Sequence, residues 1–120
     1  MSSPLARQLT QRFFSYLSIT SQSDAAATTL PTTAGQYEMA RVLADELKTL
    51  GLEEIVIDEH ATVTAVKKGN VAGAPRIGFI THIDTVDVGL SPDIHPQILR
   101  FTGTDLCLNA EQAVSYTHLT

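Results

Sequence analysis

Ile77-Gly78-Phe79-Ile80-Thr81-His82-Ile83-Asp84-Thr85 decides how the chain reads. A short apolar run ends in a histidine, and an aspartate follows two residues later. Side chains on a strand alternate with period two, so residues 82 and 84 are expected on one side. If His82 binds a metal, Asp84 is placed to hold its imidazole from behind. Residues 76–81 are apolar on both parities, which predicts a strand buried on both faces in a central sheet position. Ligands of layered α/β sheets collect at the carboxyl ends of strands, where His82 falls.

The segments before this stretch read as its scaffold. Ser3 and Pro4 predict a helix start, because serine caps free amides and proline suits the first helical position. Leu5, Leu9, Phe13, Tyr16 and Leu17 recur at helical spacing and predict one packed face, ending near Ile19. A polar loop, Thr20-Ser21-Gln22-Ser23-Asp24, follows, and residues 25–31 read as a surface connection. Thr33-Ala34-Gly35-Gln36 has capping-box spacing, with Gln36 expected to reach back to the cap amide. Met39, Ala40, Leu43, Leu47 and Leu50 predict the buried face of a second helix, with Asp45, Glu46 and Lys48 outside it. Gly51 supplies a left-handed end cap.

Residues 52–58 contain the β-branched run Ile55-Val56-Ile57 and predict a strand. Glu59-His60-Ala61 reads as a turn, and residues 62–67 as a second strand pairing with the first in a hairpin. Residues 69–75 and 89–96 are loops, and residues 97–108 are expected to add a further strand or two. Two helices and three or more strands in this order predict a layered α/β domain with a mixed sheet.

Composition bounds the function. At 120 residues the chain holds one domain at most, with ordinary hydrophobic (43%) and charged (18%) content. A formal net charge of -5, with eight scattered Lys and Arg, argues against a general nucleic-acid or anionic-membrane binder. Cys107 is the single cysteine. It excludes an intrachain disulfide and a Cys-rich zinc knuckle, and it is expected to be a buried structural thiol. The N-terminus lacks an apolar signal core, so a cytoplasmic protein is expected.

By spacing alone, His-x-Asp is a weak signal: it fits a metal ligand with its supporting carboxylate, but such spacing more often marks a structural or strand-capping histidine. The other candidates point to no chemistry of their own. His60 falls in a turn, His95 precedes Pro96 in a loop, and His118 lies in the final segment. Asp87 reads as a solvated loop carboxylate, and Glu53-Glu54 and Asp58-Glu59 as exposed flanks of a strand. No glycine-rich phosphate loop, serine nucleophile elbow or zincin helix motif occurs.

An ordered set of motifs is more specific. Phe14-Ser15-Tyr16-Leu17-Ser18 runs to Ser21-Gln22-Ser23, and Thr32-x-x-Gly35-Gln36 enters the second helix. Leu47-Lys48-Thr49-Leu50-Gly51-Leu52, Asp58-Glu59, the stretch 77–85 and Pro96-Gln97-Ile98 follow. From about residue 8 to about residue 113 the chain resembles the N-terminal part of the peptidase T family of tripeptide aminopeptidases. That family is one of the zinc metallopeptidases that include glutamate carboxypeptidase and the aminoacylases. The resemblance implies the N-terminal part of a layered α/β zinc-peptidase catalytic domain, with two Zn2+ in the complete site and a short peptide as substrate. The charge balance and the lack of a membrane-length apolar run point to no nucleic-acid or membrane partner, and the resemblance implies a homodimeric full-length parent.

Under that resemblance His82 matches the first metal-ligating histidine, and Asp84 matches the catalytic-site aspartate that supports it. The family's bridging Asp, its Glu-Glu pair with the general base, and its remaining ligands belong to a region downstream of the matched motifs. The loop after Thr85 departs from the family pattern, which implies a relative with shifted substrate preference. Residues 1–113 therefore read as a partial metallopeptidase domain, expected to be inactive by itself. Residues 114–120 do not continue the pattern and are expected to come from a truncated or misassembled reading frame. Two alternatives stand beside this reading. One is a related deacylase, dipeptidase or carboxypeptidase of the same family, and the other a non-catalytic binding module on the same scaffold.

Overall fold

A computed structural model describes residues 3–89, 91–100, 102–103, 106–109 and 114–116, and the side chains only as far as residue 103. The element order is α1 (Pro4–Leu17), α2 (Ala34–Thr49), β1 (Glu53–Ile57), β2 (Val63–Val66), β3 (Leu106–Asn109) and β4 (Val114–Tyr116). The side chain of Cys107, residues 117–120 with His118, and the 113/114 boundary lie outside the described residues.

Helix α1 starts as its sequence predicts. Ser3 is the cap, its Oγ accepting from the Ala6 N–H at 3.1 Å, and Pro4 occupies the first turn. Its apolar stripe does not pack as expected. No residue of α1 is buried, and Leu5, Leu9 and Phe13 face solvent. A polar contact ties it down instead. The Tyr16 hydroxyl donates to the Glu46 carboxylate on α2, and Arg12 Nε lies 3.6 Å from the same oxygen. Partial burial and the Glu46 hydrogen bond push the Tyr16 phenol up to about 12.

Helix α2 begins with a variation on the capping box. Thr33 is the cap but makes no side-chain cap bond; its Oγ1 donates to the Gln22 carbonyl at 2.8 Å. Gln36 reaches one residue further back than expected. Its Oε1 accepts from the Thr32 N–H at 2.8 Å, and its Nε2 donates to Thr32 Oγ1 at 2.9 Å. Met39 and Ala40 are buried and Leu43 and Leu47 half-buried, but Leu50 is exposed. The helix ends as predicted, with Gly51 at φ 76°. The Gly51 N–H donates to the Lys48 carbonyl and the Leu52 N–H to the Leu47 carbonyl, both at 3.0 Å, closing a Schellman pattern.

β1 and β2 form the expected antiparallel hairpin, with a bulge between Glu53 and Val56. The Asp58 carboxylate accepts from the Thr62 and His60 amides at 2.8 and 2.9 Å, which rigidifies the turn. Those amides, Thr62 first, hold its pKa below the usual carboxylate value. β3 and β4 make a second antiparallel pair, so one further strand overlaps the end of residues 97–108, as expected, and another falls at 114–116. The two pairs are separate sheets, which makes this a small α/β assembly in place of the expected mixed sheet.

The largest departure concerns residues 76–81. They form no strand, Phe79 is 94% exposed, and Ile77 and Ile80 also face solvent. A strand needs a neighbour for its N–H and C=O groups, and no described segment pairs with this one. Among the described residues the buried apolar side chains are Met39, Ala40 and Ala61.

Two outcomes follow from the α1–α2 contact and the entry to α2. A Cβ built on Gly35 would stand 1.7 Å from the Thr20 carbonyl oxygen and 2.7 Å from its carbon. Gly35→Ala should therefore destabilise by about 3 kcal/mol, the upper part of the overpacking range. An unchanged urea midpoint would contradict the contact. Because folding raises the Tyr16 pKa, the stability it contributes is complete below the ordinary tyrosine value. It is lost as pH rises through about 12. Ultraviolet titration should show one tyrosine ionising near 12, and Glu46→Gln should move it downward.

Candidate functional site

The chain around His82 is held from a distance in sequence. Residues 21–25 run alongside residues 85–87, with Gln22 and Thr85 forming a parallel bridge. The Ser23 N–H and Oγ–H both donate to the Thr85 carbonyl, at 2.9 and 3.1 Å. The Thr85 N–H donates to the Ser21 carbonyl at 3.3 Å. Gln22 Nε2 reaches the Val86 carbonyl at 3.4 Å, and the Ala25 N–H donates to Asp87 Oδ2 at 3.2 Å. Ser21 is only 3% exposed although it lies in a polar run.

His82 and Asp84 come together as expected, though not on a strand. His82 Nδ1 lies 2.9 Å from the Asp84 carbonyl oxygen and 3.1 Å from its Oδ1. An ionised carboxylate and a carbonyl only accept, so this geometry requires the proton on Nδ1. In the neutral ring this leaves the lone pair on Nε2, and the ring is 83% exposed. That is the tautomer a metal-binding histidine needs when its other nitrogen is held by oxygen.

Among the described residues the pair stands without further ligands. No group of three or more His, Cys, Asp or Glu side chains able to hold a metal occurs among the described residues. A catalytic zinc normally takes about three protein ligands. The residues present therefore fit one ligand with its orienting partner, not a complete centre. His60, His95, Glu53, Glu54, Asp58 and Glu59 are exposed, and none of them joins the pair in a metal-binding group. Asp87, expected to be merely solvated, also anchors the Ala25 amide. The role of residues 21–23 was invisible to local pattern, since their partners lie 62–64 residues away. Their one signal was membership in the ordered family motifs.

No family model matches the chain. It is 72% identical over 114 residues to a peptidase T-like protein of Yersinia pestis, covering 95% of this chain and 28% of that protein. It is 53% identical over 107 residues to a peptidase T-like protein of Rhizobium meliloti, covering 89% and 26%. It is 37% identical over 112 residues to the peptidase T of Geobacillus thermodenitrificans, covering 92% and 27%. The chain spans about a quarter of the length of the curated relatives it matches.

The tautomer is directly measurable. Long-range 1H–15N spectra should show His82 protonated at Nδ1, and Asp84→Ala should shift it toward the Nε2–H form that dominates free imidazole side chains. An Nε2–H majority in the unsubstituted chain would contradict the geometry.

Proposed function

This chain is a homologue of peptidase T and the peptidase T-like proteins, and on that premise we propose that it supplies one corner of a two-zinc aminopeptidase site. The protein it belongs to removes the N-terminal residue of short peptides, tripeptides foremost. His82 Nε2 is a ligand to the first zinc, and Asp84 sets the imidazole's tautomer and orientation. The observation that carries this reading is the Nδ1 contact to two Asp84 oxygens, which leaves Nε2 available on an exposed ring. When bound, the zinc pair supplies activation of a water and polarisation of the scissile carbonyl.

The chain's own residues hold and orient; they do not complete the chemistry. One imidazole binds zinc weakly, and the bridging carboxylate, the general base and the remaining ligands come from residues outside these 120. The exposed segment 76–81 supports this reading, because among the described residues its apolar side chains and backbone groups lack the neighbours a central strand has. Among the described residues no helix is long and apolar enough to cross a membrane.

The purified chain with added Zn2+ should show no tripeptide hydrolysis above a metal-only control; metal-dependent turnover would refute the proposal that it is inactive by itself. Grafted over the matching segment of the Yersinia pestis relative, it should support zinc-dependent cleavage of tripeptides. In that graft His82→Ala should abolish activity, and Asp84→Ala should cost about 10–100-fold in metal affinity or rate. Preference for N-acyl amino acids or dipeptides in the same assay would move the assignment to a sibling deacylase or dipeptidase.

A further inference from the structure

The polar run Ser21-Gln22-Ser23 has no role in the site as proposed so far, yet it grips the backbone immediately after Asp84. The peptide unit joining Asp84 to Thr85 is planar and rigid, so its carbonyl and its N–H turn together. Its carbonyl oxygen faces His82 Nδ1 at 2.9 Å. Its N–H donates to the Ser21 carbonyl at 3.3 Å. The next carbonyl, that of Thr85, takes two hydrogen bonds from Ser23, one from the amide and one from the hydroxyl. Both peptide units flanking Thr85 are thus held by a segment more than sixty residues earlier.

We infer that Ser23 is a positioning residue for His82, acting through the Thr85 carbonyl and the Asp84–Thr85 peptide plane. Rotation of that plane would carry the Asp84 carbonyl away from Nδ1 and leave the carboxylate as the ring's only holder. The Ser23 hydroxyl restrains this rotation from the next peptide unit, through the Thr85 carbonyl, without touching the histidine. Gly35 supports the same device from beneath, since its lack of a Cβ lets α2 lie against the Thr20 carbonyl next to buried Ser21. The value of the arrangement for metal binding rests on the two-zinc reading; the orientation of the imidazole does not.

The test uses the whole 120-residue chain. Ser23→Ala should lower the Nδ1–H fraction of His82 in long-range 1H–15N spectra, and Ser23→Thr, which keeps the hydroxyl, should restore it. Thermal midpoints of the two variants should stay close, separating orientation from general stability. Titration with Zn2+ alone should perturb His82 Nε2, with the apparent affinity about three- to tenfold weaker in Ser23→Ala, below the cost of losing a direct partner. In the unsubstituted chain the Thr85 amide should exchange with solvent more slowly than that of Val88. This last measurement needs no variant to fold. An unchanged tautomer in Ser23→Ala, or a Thr85 amide exchanging as fast as that of Val88, overturns the inference. If Ser23→Ala shifts the tautomer while Zn2+ perturbs His82 in neither protein, the positioning role stands and the metal assignment falls.

Discussion

Backbone meets backbone where the first turn of α2 lies against the Thr20 carbonyl, at a distance no side chain tolerates. That approach seats the loop after Thr20. Thr33 Oγ1 then donates to the Gln22 carbonyl, and the Gln36 amide folds back onto Thr32. With the loop seated, Ser21 and Ser23 present a carbonyl, an amide and a hydroxyl to Thr85. The His82–Asp84 pair is the last link in this series. Its geometry is set less by the residues just before it than by a helix entry far upstream.

Hydrogen bonds carry much of this because apolar burial is sparse among the described residues. Met39, Ala40 and Ala61 are small contributions beside what stays in water. Leu5, Leu9 and Phe13 on α1, and Ile77, Phe79 and Ile80 before His82, are all exposed. Burying each such side chain is worth about 1.5–3 kcal/mol. Two local elements are well made regardless, the Schellman end of α2 and the Asp58-braced hairpin turn, because both are satisfied by near neighbours.

Sequence legibility divides along the same line. Ser3-Pro4, Gly51 and the β-branched runs on either side of His60 signalled a helix start, a helix end and a hairpin, because each depends on residues within a turn or two. Residues 76–81 signalled a central strand, which is a statement about neighbours as much as about the segment. Where no described strand lies beside it, the same residues remain unpaired. The capping box failed by one residue for a related reason. Thr33's hydroxyl was drawn to the Gln22 carbonyl, a partner eleven positions away, and Gln36 turned to Thr32. The contact between residues 21–23 and 85 had no local trace, and only the ordered motifs marked both ends as belonging together.

Strand alternation predicts the His-x-Asp contact, yet the contact forms without a strand. Alternation would align two side chains and supply one carboxylate oxygen. In the folded chain Asp84 also turns its backbone carbonyl toward Nδ1, 2.9 Å away and slightly closer than the carboxylate at 3.1 Å. A carbonyl is oriented by its peptide plane and a carboxylate by a side chain free to change rotamer. The tautomer therefore depends on how firmly the backbone at Thr85 is held as well as on which residue occupies position 84. That dependence gives the Ser21–Ser23 run a physical reason to accompany the His-x-Asp stretch in one ordered set of motifs.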